Sequence, residues 1–144
     1  MTAELPVFLD TNILTYAYDV SEGERHARAH QILKECFEGK RVIAISNQVL
    51  AEFGRIVLFK IEHPLTLEKV QEIVDSIMCL SSFIKINYSC STYAASIHSF
   101  EQRSKYWDAL IVQTMKENGI KKIYTENTKD FEAAEGIQAI NPFK

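Results

Sequence analysis

Short apolar runs alternate with longer amphipathic segments along the whole chain. Runs of β-forming apolar residues predict five strands, at residues 7–9, 42–45, 83–86, 122–124 and 137–140. Between them, apolar positions recur every three or four residues, which predicts helices at residues 25–37, 46–60, 92–100 and 106–117, and a further helix capped by Thr66. Strands separated by helices in this way indicate an α/β fold, in which a parallel five-stranded sheet is flanked by helices on both faces.

The region between the second and third predicted strands carries two consecutive helical patterns and no strand. We therefore expect a helical arm before the third strand. The chain has no repeat, low-complexity tract or linker, and it contains only five Gly and three Pro among its 144 residues. Residues 1–144 are accordingly predicted to form a single domain.

The first strand runs directly into Asp10, Thr11 and Asn12, after which a helical pattern begins. Ligands of parallel α/β sheets bind beyond the carboxyl ends of the strands, so an Asp at this junction indicates a metal or phosphate site. The same Asp could instead cap the helix by accepting a backbone N–H. The segment by itself leaves both interpretations open.

Further acidic residues stand near other strand ends and helix starts. Glu52 and Asp108 interrupt apolar helical faces, and Glu126 and Asp130 follow the fourth strand. A buried carboxylate without a partner costs several kcal/mol, and a bound Mg²⁺ or Mn²⁺ ion would neutralise several carboxylates at once. Taken singly, Glu52 could be an exposed helix residue and Asp108 a first-turn acid favoured by the helix dipole.

Composition narrows the class of protein only a little. The net charge of −3 does not indicate a nucleic-acid binder, although basic residues cluster locally, among them Arg103 and Lys105 just before Asp108. No apolar run is long enough to span a membrane, and the amino-terminal residues do not resemble a signal peptide. The three cysteines have no metal-binding spacing, so we expect reduced, mostly buried cysteines in a cytoplasmic protein.

Four blocks of the chain together resemble the PIN-domain nucleases, and most closely the VapC-type toxins of toxin–antitoxin pairs. The matching blocks are Phe8-Leu9-Asp10-Thr11-Asn12-Ile13-Leu14, the helix with Glu52, Tyr106-Trp107-Asp108-Ala109-Leu110-Ile111, and Tyr124-Thr125-Glu126-Asn127-Thr128-Lys129-Asp130-Phe131. Their order and spacing match over nearly the whole chain. The resemblance implies a PIN-like fold and a Mg²⁺- or Mn²⁺-dependent endoribonuclease, expected to form a homodimer and to bind a cognate antitoxin.

By position, Asp10, Glu52 and Asp108 take the principal acidic sites of the family, as metal ligands and catalytic residues. The fourth acidic site is left open among Glu126, Asn127 and Asp130, and Asp130 is our catalytic candidate. Other polar residues are expected to orient the acids or to contact the substrate. They are Thr11, Asn12, Thr125 and Asn127 near the acids, and Arg103 and Lys105 for phosphate groups.

Single residues argue against two alternative classes of protein. A haloacid-dehalogenase-type phosphatase needs a second Asp where Asn12 stands, and a receiver domain needs an Asp where Asn87 stands. A housekeeping PIN-domain ribonuclease and a catalytically inactive PIN binding module remain open. His26 and His30 are interpreted as surface residues, and Trp107 as a core residue or a platform for an RNA base.

Overall fold

The computed structural model of the chain describes residues 5–100 and 105–144. One sheet holds five strands that all run parallel, in the order β3-β2-β1-β4-β5. The strands are β1 (Val7–Leu9), β2 (Ile43–Ser46), β3 (Phe83–Ile86), β4 (Lys122–Tyr124) and β5 (Gln138–Ile140). The predicted parallel five-stranded sheet is confirmed, and the second strand is shifted by one residue from its predicted position.

Within the described residues, six α-helices connect the strands. They are α1 (Thr11–Tyr16), α2 (Glu24–Phe37), α3 (Asn47–Phe59), α4 (Leu67–Cys79), α5 (Cys90–His98) and α6 (Tyr106–Glu117). Helix α1 packs on α2 and α3, α3 packs on α4, and α5 packs on α6. These two groups are the ones that right-handed crossovers place on opposite faces of such a sheet. Short 3₁₀ turns occupy Val20–Glu22 and Thr128–Phe131.

Side-chain hydrogen bonds explain where three of the helices begin. The hydroxyl of Ser46 caps α3 and that of Thr66 caps α4, as predicted for Thr66. Helix α5 begins two residues earlier than predicted, because Ser89 and Thr92 form a reciprocal capping box. The predicted helical arm is the α3–α4 pair, which lies between β2 and β3.

The core lies on both faces of the central strands. Phe8, Leu9, Ile43 and Ile45 are completely buried, which explains why β1 and β2 have continuous apolar sequences instead of alternating ones. The arm contributes Ile77, also completely buried, from α4. A buried core this continuous holds the ends of the central strands in fixed positions relative to one another.

The strand order contains one switch point, between β1 and β4. From β1 the chain moves outward through β2 to β3, and it then returns to place β4 on the other side of β1. The loops that leave β1 and β4 therefore diverge, which opens a crevice at their carboxyl ends. Asp10 follows β1 and Thr125 follows β4, so both lie at this crevice.

The cysteine expectation is wrong in part. Cys36 is buried in α2, where its thiol donates a hydrogen bond to the backbone oxygen of Ser82. Cys79 and Cys90 are exposed, because they occupy the last turn of α4 and the first turn of α5. No helix among residues 5–100 and 105–144 is both long and apolar enough to cross a membrane.

Candidate active site

Asp10 is buried at the switch point, with only 8% of its surface exposed. One carboxylate oxygen accepts the backbone N–H of Thr11 at 2.8 Å, and the other accepts the hydroxyl of Thr125 at 2.7 Å. Burial raises the pKa of Asp10 above its ordinary value; the two hydrogen bonds oppose that rise, and the Glu52 and Asp130 carboxylates add to it. Asp10 thus caps α1 and at the same time belongs to a group of acids.

Glu52 is fixed by two donors from different parts of the chain. The Thr11 hydroxyl donates to one carboxylate oxygen at 2.8 Å, and the Gln48 amide donates to the other at 3.1 Å. The same amide also contacts the backbone oxygen of Trp107 at 3.2 Å. Thr11 and Gln48 therefore tie Glu52 to the end of β1 and to the first turn of α6.

Asp108 lies in the first turn of α6, facing the other acids. Burial and, to a lesser degree, the negative charges of Asp10, Asp130 and Glu52 together raise the pKa of Asp108 to about 7, against the lowering effect of Lys105. Perturbation by burial together with several like charges in one cleft is typical of functional acids. Residues 5–100 and 105–144 supply no hydrogen bond to this carboxylate, unlike those of Asp10 and Glu52.

A cavity of about 530 Å³ at the switch point brings the predicted acids together. Seven carboxylates line it, and they are Asp10, Asp19, Glu22, Glu52, Glu62, Asp108 and Asp130. Lys60 is the one cationic side chain among the described lining residues. The cavity is therefore strongly negative and would attract cations. We call it the acidic cavity.

The acidic cavity also contains oxygen atoms without hydrogen-bond partners. The side-chain oxygens of Asn12 and Thr15 are buried and make no hydrogen bond among the described residues, and both residues line the cavity. Carboxylate, amide and hydroxyl oxygens are the donors that Mg²⁺ and Mn²⁺ prefer. The donor set therefore fits a divalent cation. As the side chains stand, no three His, Cys, Asp or Glu groups among the described residues lie close enough together to hold a metal ion.

The structure separates the candidates for the fourth acidic position. Glu126 accepts a hydrogen bond from the Tyr16 hydroxyl at 3.0 Å and from the Arg25 guanidinium at 2.6 Å, and it does not line the acidic cavity. Asp130 and Asn127 do line it. The charge of Asp130 contributes to the raised pKa of both Asp10 and Asp108. Of the two acids, Asp130 is the one placed with the other carboxylates.

The remaining predicted residues lie in different surroundings. Thr125 is completely buried, and its hydroxyl oxygen also accepts the backbone N–H of Asn127 at 3.1 Å. Lys105 stands just before α6, close enough to lower the pKa of Asp108. Arg103 lies outside the described residues. Trp107 is 57% exposed and is therefore not a core residue.

Sequence reasoning missed several groups around the site. Gln48 stands four residues before Glu52 on the same helical face, and this spacing could have indicated the contact. The contacts of Glu126 with Tyr16 and Arg25 span more than a hundred residues and left no local signal. His26 lies with its ring nitrogen 2.9 Å from the Tyr16 backbone oxygen, away from the acids.

Fold and site together define an α/β protein with an acidic cavity at the switch point of a parallel sheet. The family model of the PIN domain matches residues 7–137. The chain therefore belongs to the PIN domain family. No curated protein sequence matches it significantly.

Solved structures with this fold include VapC toxins. The Mycobacterium tuberculosis toxin VapC20, described as cleaving the sarcin-ricin loop, has 15% identity and a TM-score of 0.64, covering 91% of this chain and 98% of that one. VapBC2 from Rickettsia felis, bound to promoter DNA, has 21% identity and a TM-score of 0.59, covering 95% and 98%. A toxin–antitoxin complex from Klebsiella pneumoniae has 26% identity and a TM-score of 0.55, covering 94% and 97%.

Proposed function

We propose that this chain is a divalent-metal-dependent endoribonuclease and the toxin of a VapBC-type toxin–antitoxin pair. The observation that carries the proposal is the convergence of Asp10, Glu52, Asp108 and Asp130 on one acidic cavity at the switch point. Membership of the PIN domain family and similarity to toxin structures support it.

In this proposal the four carboxylates hold Mg²⁺ or Mn²⁺, and the amide oxygen of Asn12 is a further possible donor. When bound, the ion lowers the pKa of a water molecule and stabilises charge on the phosphate oxygens. Because the acidic cavity alone would repel RNA, neutralisation of the carboxylates is also a condition for substrate binding.

Thr11 and Thr125 position the carboxylates before any substrate arrives. The Thr125 hydroxyl fixes one oxygen of Asp10, and the Thr11 side chain fixes one oxygen of Glu52. Thr11 also donates its backbone N–H to Asp10, so a single residue links two of the acids. Such outer contacts hold ligands in the orientation that the reaction needs.

Water is the proposed nucleophile, and a carboxylate accepts its proton. One of the four acids that line the acidic cavity is the proposed base. The hydrolysis breaks one P–O bond of the RNA backbone, and the oxygen of water replaces the departing ribose oxygen.

The proposed partners are RNA, an antitoxin and a second copy of the chain. The structures from Klebsiella pneumoniae and Rickettsia felis are toxin–antitoxin assemblies, which supports an antitoxin partner. Exposed apolar side chains on α5 and α6, namely Tyr93, Ile97 and Trp107, are consistent with an interface between copies. Light scattering of the purified protein would measure whether the dimer forms.

The test is cleavage of tRNA, rRNA and mRNA with Mg²⁺ or Mn²⁺. Wild type should cut at least one of them, while Asp10→Asn and Asp108→Asn should lose most activity, and EDTA should abolish it. Asp75→Asn is the matched control, because Asp75 is an exposed acid on α4, remote from the acidic cavity. Calorimetry of Mn²⁺ binding to the same variants gives a readout independent of activity.

Activity that persists equally in Asp10→Asn and Asp108→Asn would place the chemistry elsewhere. Metal binding without cleavage of any RNA would favour the inactive PIN binding module. Cleavage confined to a processing site of one stable RNA, with no growth inhibition on expression, would favour the housekeeping ribonuclease.

A further inference from the structure

A single buried amide group links two of the predicted acids. Gln48 lies in the first turn of α3 and is only 5% exposed. Its amide nitrogen is 3.1 Å from a carboxylate oxygen of Glu52 and 3.2 Å from the backbone oxygen of Trp107. The carbonyl of Trp107 is bonded directly to the backbone nitrogen of Asp108. The same amide therefore contacts one acid and the peptide unit that carries another.

Thr11 makes the corresponding link on the other side of Glu52. Its backbone N–H donates to Asp10, and its hydroxyl donates to the second carboxylate oxygen of Glu52. Asp10 is thus linked to Glu52 through Thr11, and Glu52 is linked to α6 through Gln48. The three principal acids form one connected series, and Gln48 supplies the part of it that reaches Asp108.

The Gln48 amide joins two helices whose main packing partners differ. Helix α3 packs mainly on α1 and α4, whereas α6 packs mainly on α5, in the other group of helices. Gln48 is itself well anchored, because Ser46 caps the start of α3 and the side chain of Asn47 accepts the backbone N–H of Gln48 at 3.0 Å. A short side chain with a fixed base therefore spans from α3 to the first turn of α6.

The oxygen of the same amide is a cost to the folded state. It is buried and makes no hydrogen bond among the described residues. A buried acceptor without a donor is destabilising. Rotating the amide by half a turn would not help, because its oxygen would then face a carboxylate and a carbonyl, which are both acceptors. An apolar side chain of this length would avoid the penalty, so stability alone does not account for a glutamine here.

We propose that Gln48 is a positioning residue, which holds Glu52 and Asp108 at the separation that cation binding and catalysis require. The inference rests on the proposed function and assigns the residue that connects two of its acids. Gln48 is not among the described residues that line the acidic cavity, so it acts through the two carboxylates and does not contact the RNA. Loss of its amide should weaken the cation site and slow the reaction without changing the affinity for RNA.

The test is Gln48→Met, which keeps the length of the side chain and removes the amide. Calorimetry should show Mn²⁺ binding weakened by about tenfold, as is typical when a metal ligand loses a supporting hydrogen bond. With saturating Mn²⁺, kcat for RNA cleavage should fall by about tenfold and KM should change by less than about twofold. The melting temperature of the metal-free protein should stay near that of wild type, because removal of the unpaired oxygen offsets the lost hydrogen bonds.

Gln31→Met is the matched control. Gln31 is an exposed residue of α2 whose amide donates to Glu35, four residues later, at 3.3 Å. This pair has the same spacing as Gln48 and Glu52 but does not line the acidic cavity.

Two further variants separate positioning from packing. Gln48→Asn retains an amide but is one methylene too short to reach both acceptors, so it should weaken Mn²⁺ binding as Gln48→Met does. In a Glu52→Gln background, Gln48→Met should weaken Mn²⁺ binding by less than about threefold, because one of the two acids that it positions is already altered.

The outcomes separate the two proposals. If wild type binds Mn²⁺ and cuts RNA but Gln48→Met behaves like Gln31→Met in both assays, Gln48 is not a positioning residue and the proposed function stands. If Gln48→Met and Gln48→Asn melt at lower temperature but keep the Mn²⁺ affinity and kcat of wild type, the residue is only a structural brace and the inference is wrong. A KM that rises while kcat is unchanged would place Gln48 in RNA binding and would also overturn it. If the wild-type chain neither binds Mn²⁺ nor cuts RNA, both proposals fail.

Discussion

The bond between Thr125 and Asp10 gives the sharpest single test of the site. Thr125→Val replaces a completely buried hydroxyl by a methyl group of the same shape. It removes the 2.7 Å hydrogen bond to the carboxylate of Asp10 and the acceptor for the Asn127 backbone N–H. The cost should come mainly from a buried carboxylate oxygen that loses its donor.

Hydrogen bonds to charged groups contribute about 1.5–3 kcal/mol, so we expect Thr125→Val to lower the free energy of unfolding by about 2 kcal/mol near pH 8. This bond favours ionised Asp10 and lowers the pKa of Asp10, against the larger effect of burial. Its contribution is therefore present above the folded-state pKa of Asp10 and is lost as pH falls through it. With a urea m-value of about 2 kcal/mol/M, the unfolding midpoint should fall by about 1 M.

Urea unfolding followed by circular dichroism measures the effect at about pH 8 and about pH 4. Thr114→Val is the control, because the Thr114 hydroxyl is also buried but donates only to the neutral backbone oxygen of Leu110 within its own helix. In an Asp10→Asn background the cost of Thr125→Val should shrink to below about 1 kcal/mol. If Thr125→Val costs the same at both pH values, or the same in the Asp10→Asn background, the Thr125 hydroxyl does not stabilise the ionised carboxylate of Asp10 and our reasoning is refuted.

Three further predictions concern charge and metal. Burial, together with neighbouring carboxylates, raises the pKa of Asp108 to about 7, so the free energy of unfolding of the metal-free protein should fall as pH rises from about 4 to 7. Asp108→Asn should remove this pH dependence, which amounts to about 2 kcal/mol after allowing for solvent screening. Urea unfolding across that pH range measures the difference. Mg²⁺ or Mn²⁺ should raise the melting temperature of wild type and Asp75→Asn but not of Asp10→Asn; equal shifts in all three proteins would mean that the ion binds elsewhere. Asp130→Asn should weaken Mn²⁺ binding by at least tenfold and Glu126→Gln by less than twofold, because of these two acids only Asp130 lines the acidic cavity. Calorimetry measures both affinities, and a larger effect of Glu126→Gln would contradict the placement of Asp130 in the site.

Most of the fold follows from local sequence patterns. Apolar runs fixed the number and place of the strands, because strands buried on both faces need continuous apolar sequence. The start of α5 was predicted two residues too late, because the apolar pattern is weak there and the Ser89–Thr92 capping box determines where the helix begins. The exposure of Cys79 and Cys90 escaped it too, because burial at helix ends depends on neighbouring elements and not on residue type.

The sequence predicted which acids come together at the site, but not the groups that hold them there. Asp10, Glu52 and Asp108 could be named because each stands at the end of a strand or near the start of a helix, and because all three match the acidic positions implied by the resemblance to PIN-domain nucleases. The sequence favoured Asp130 over Glu126 but left the fourth position open, since the two acids lie in the same segment after β4. Contacts with Tyr16 and Arg25 draw Glu126 away from the cavity.

The sequence by itself determined the order of strands and helices and the placement of acids at the strand ends, because both depend on local apolar periodicity. Only the tertiary structure decided which groups hold those acids in place. Each acid has one donor that is distant along the chain: Thr125 lies 115 residues from Asp10, and Thr11 lies 41 residues from Glu52. Asp10 and Thr125 meet because β1 pairs with β4, and Thr11 and Glu52 meet because α1 packs on α3, so no local pattern records either pair.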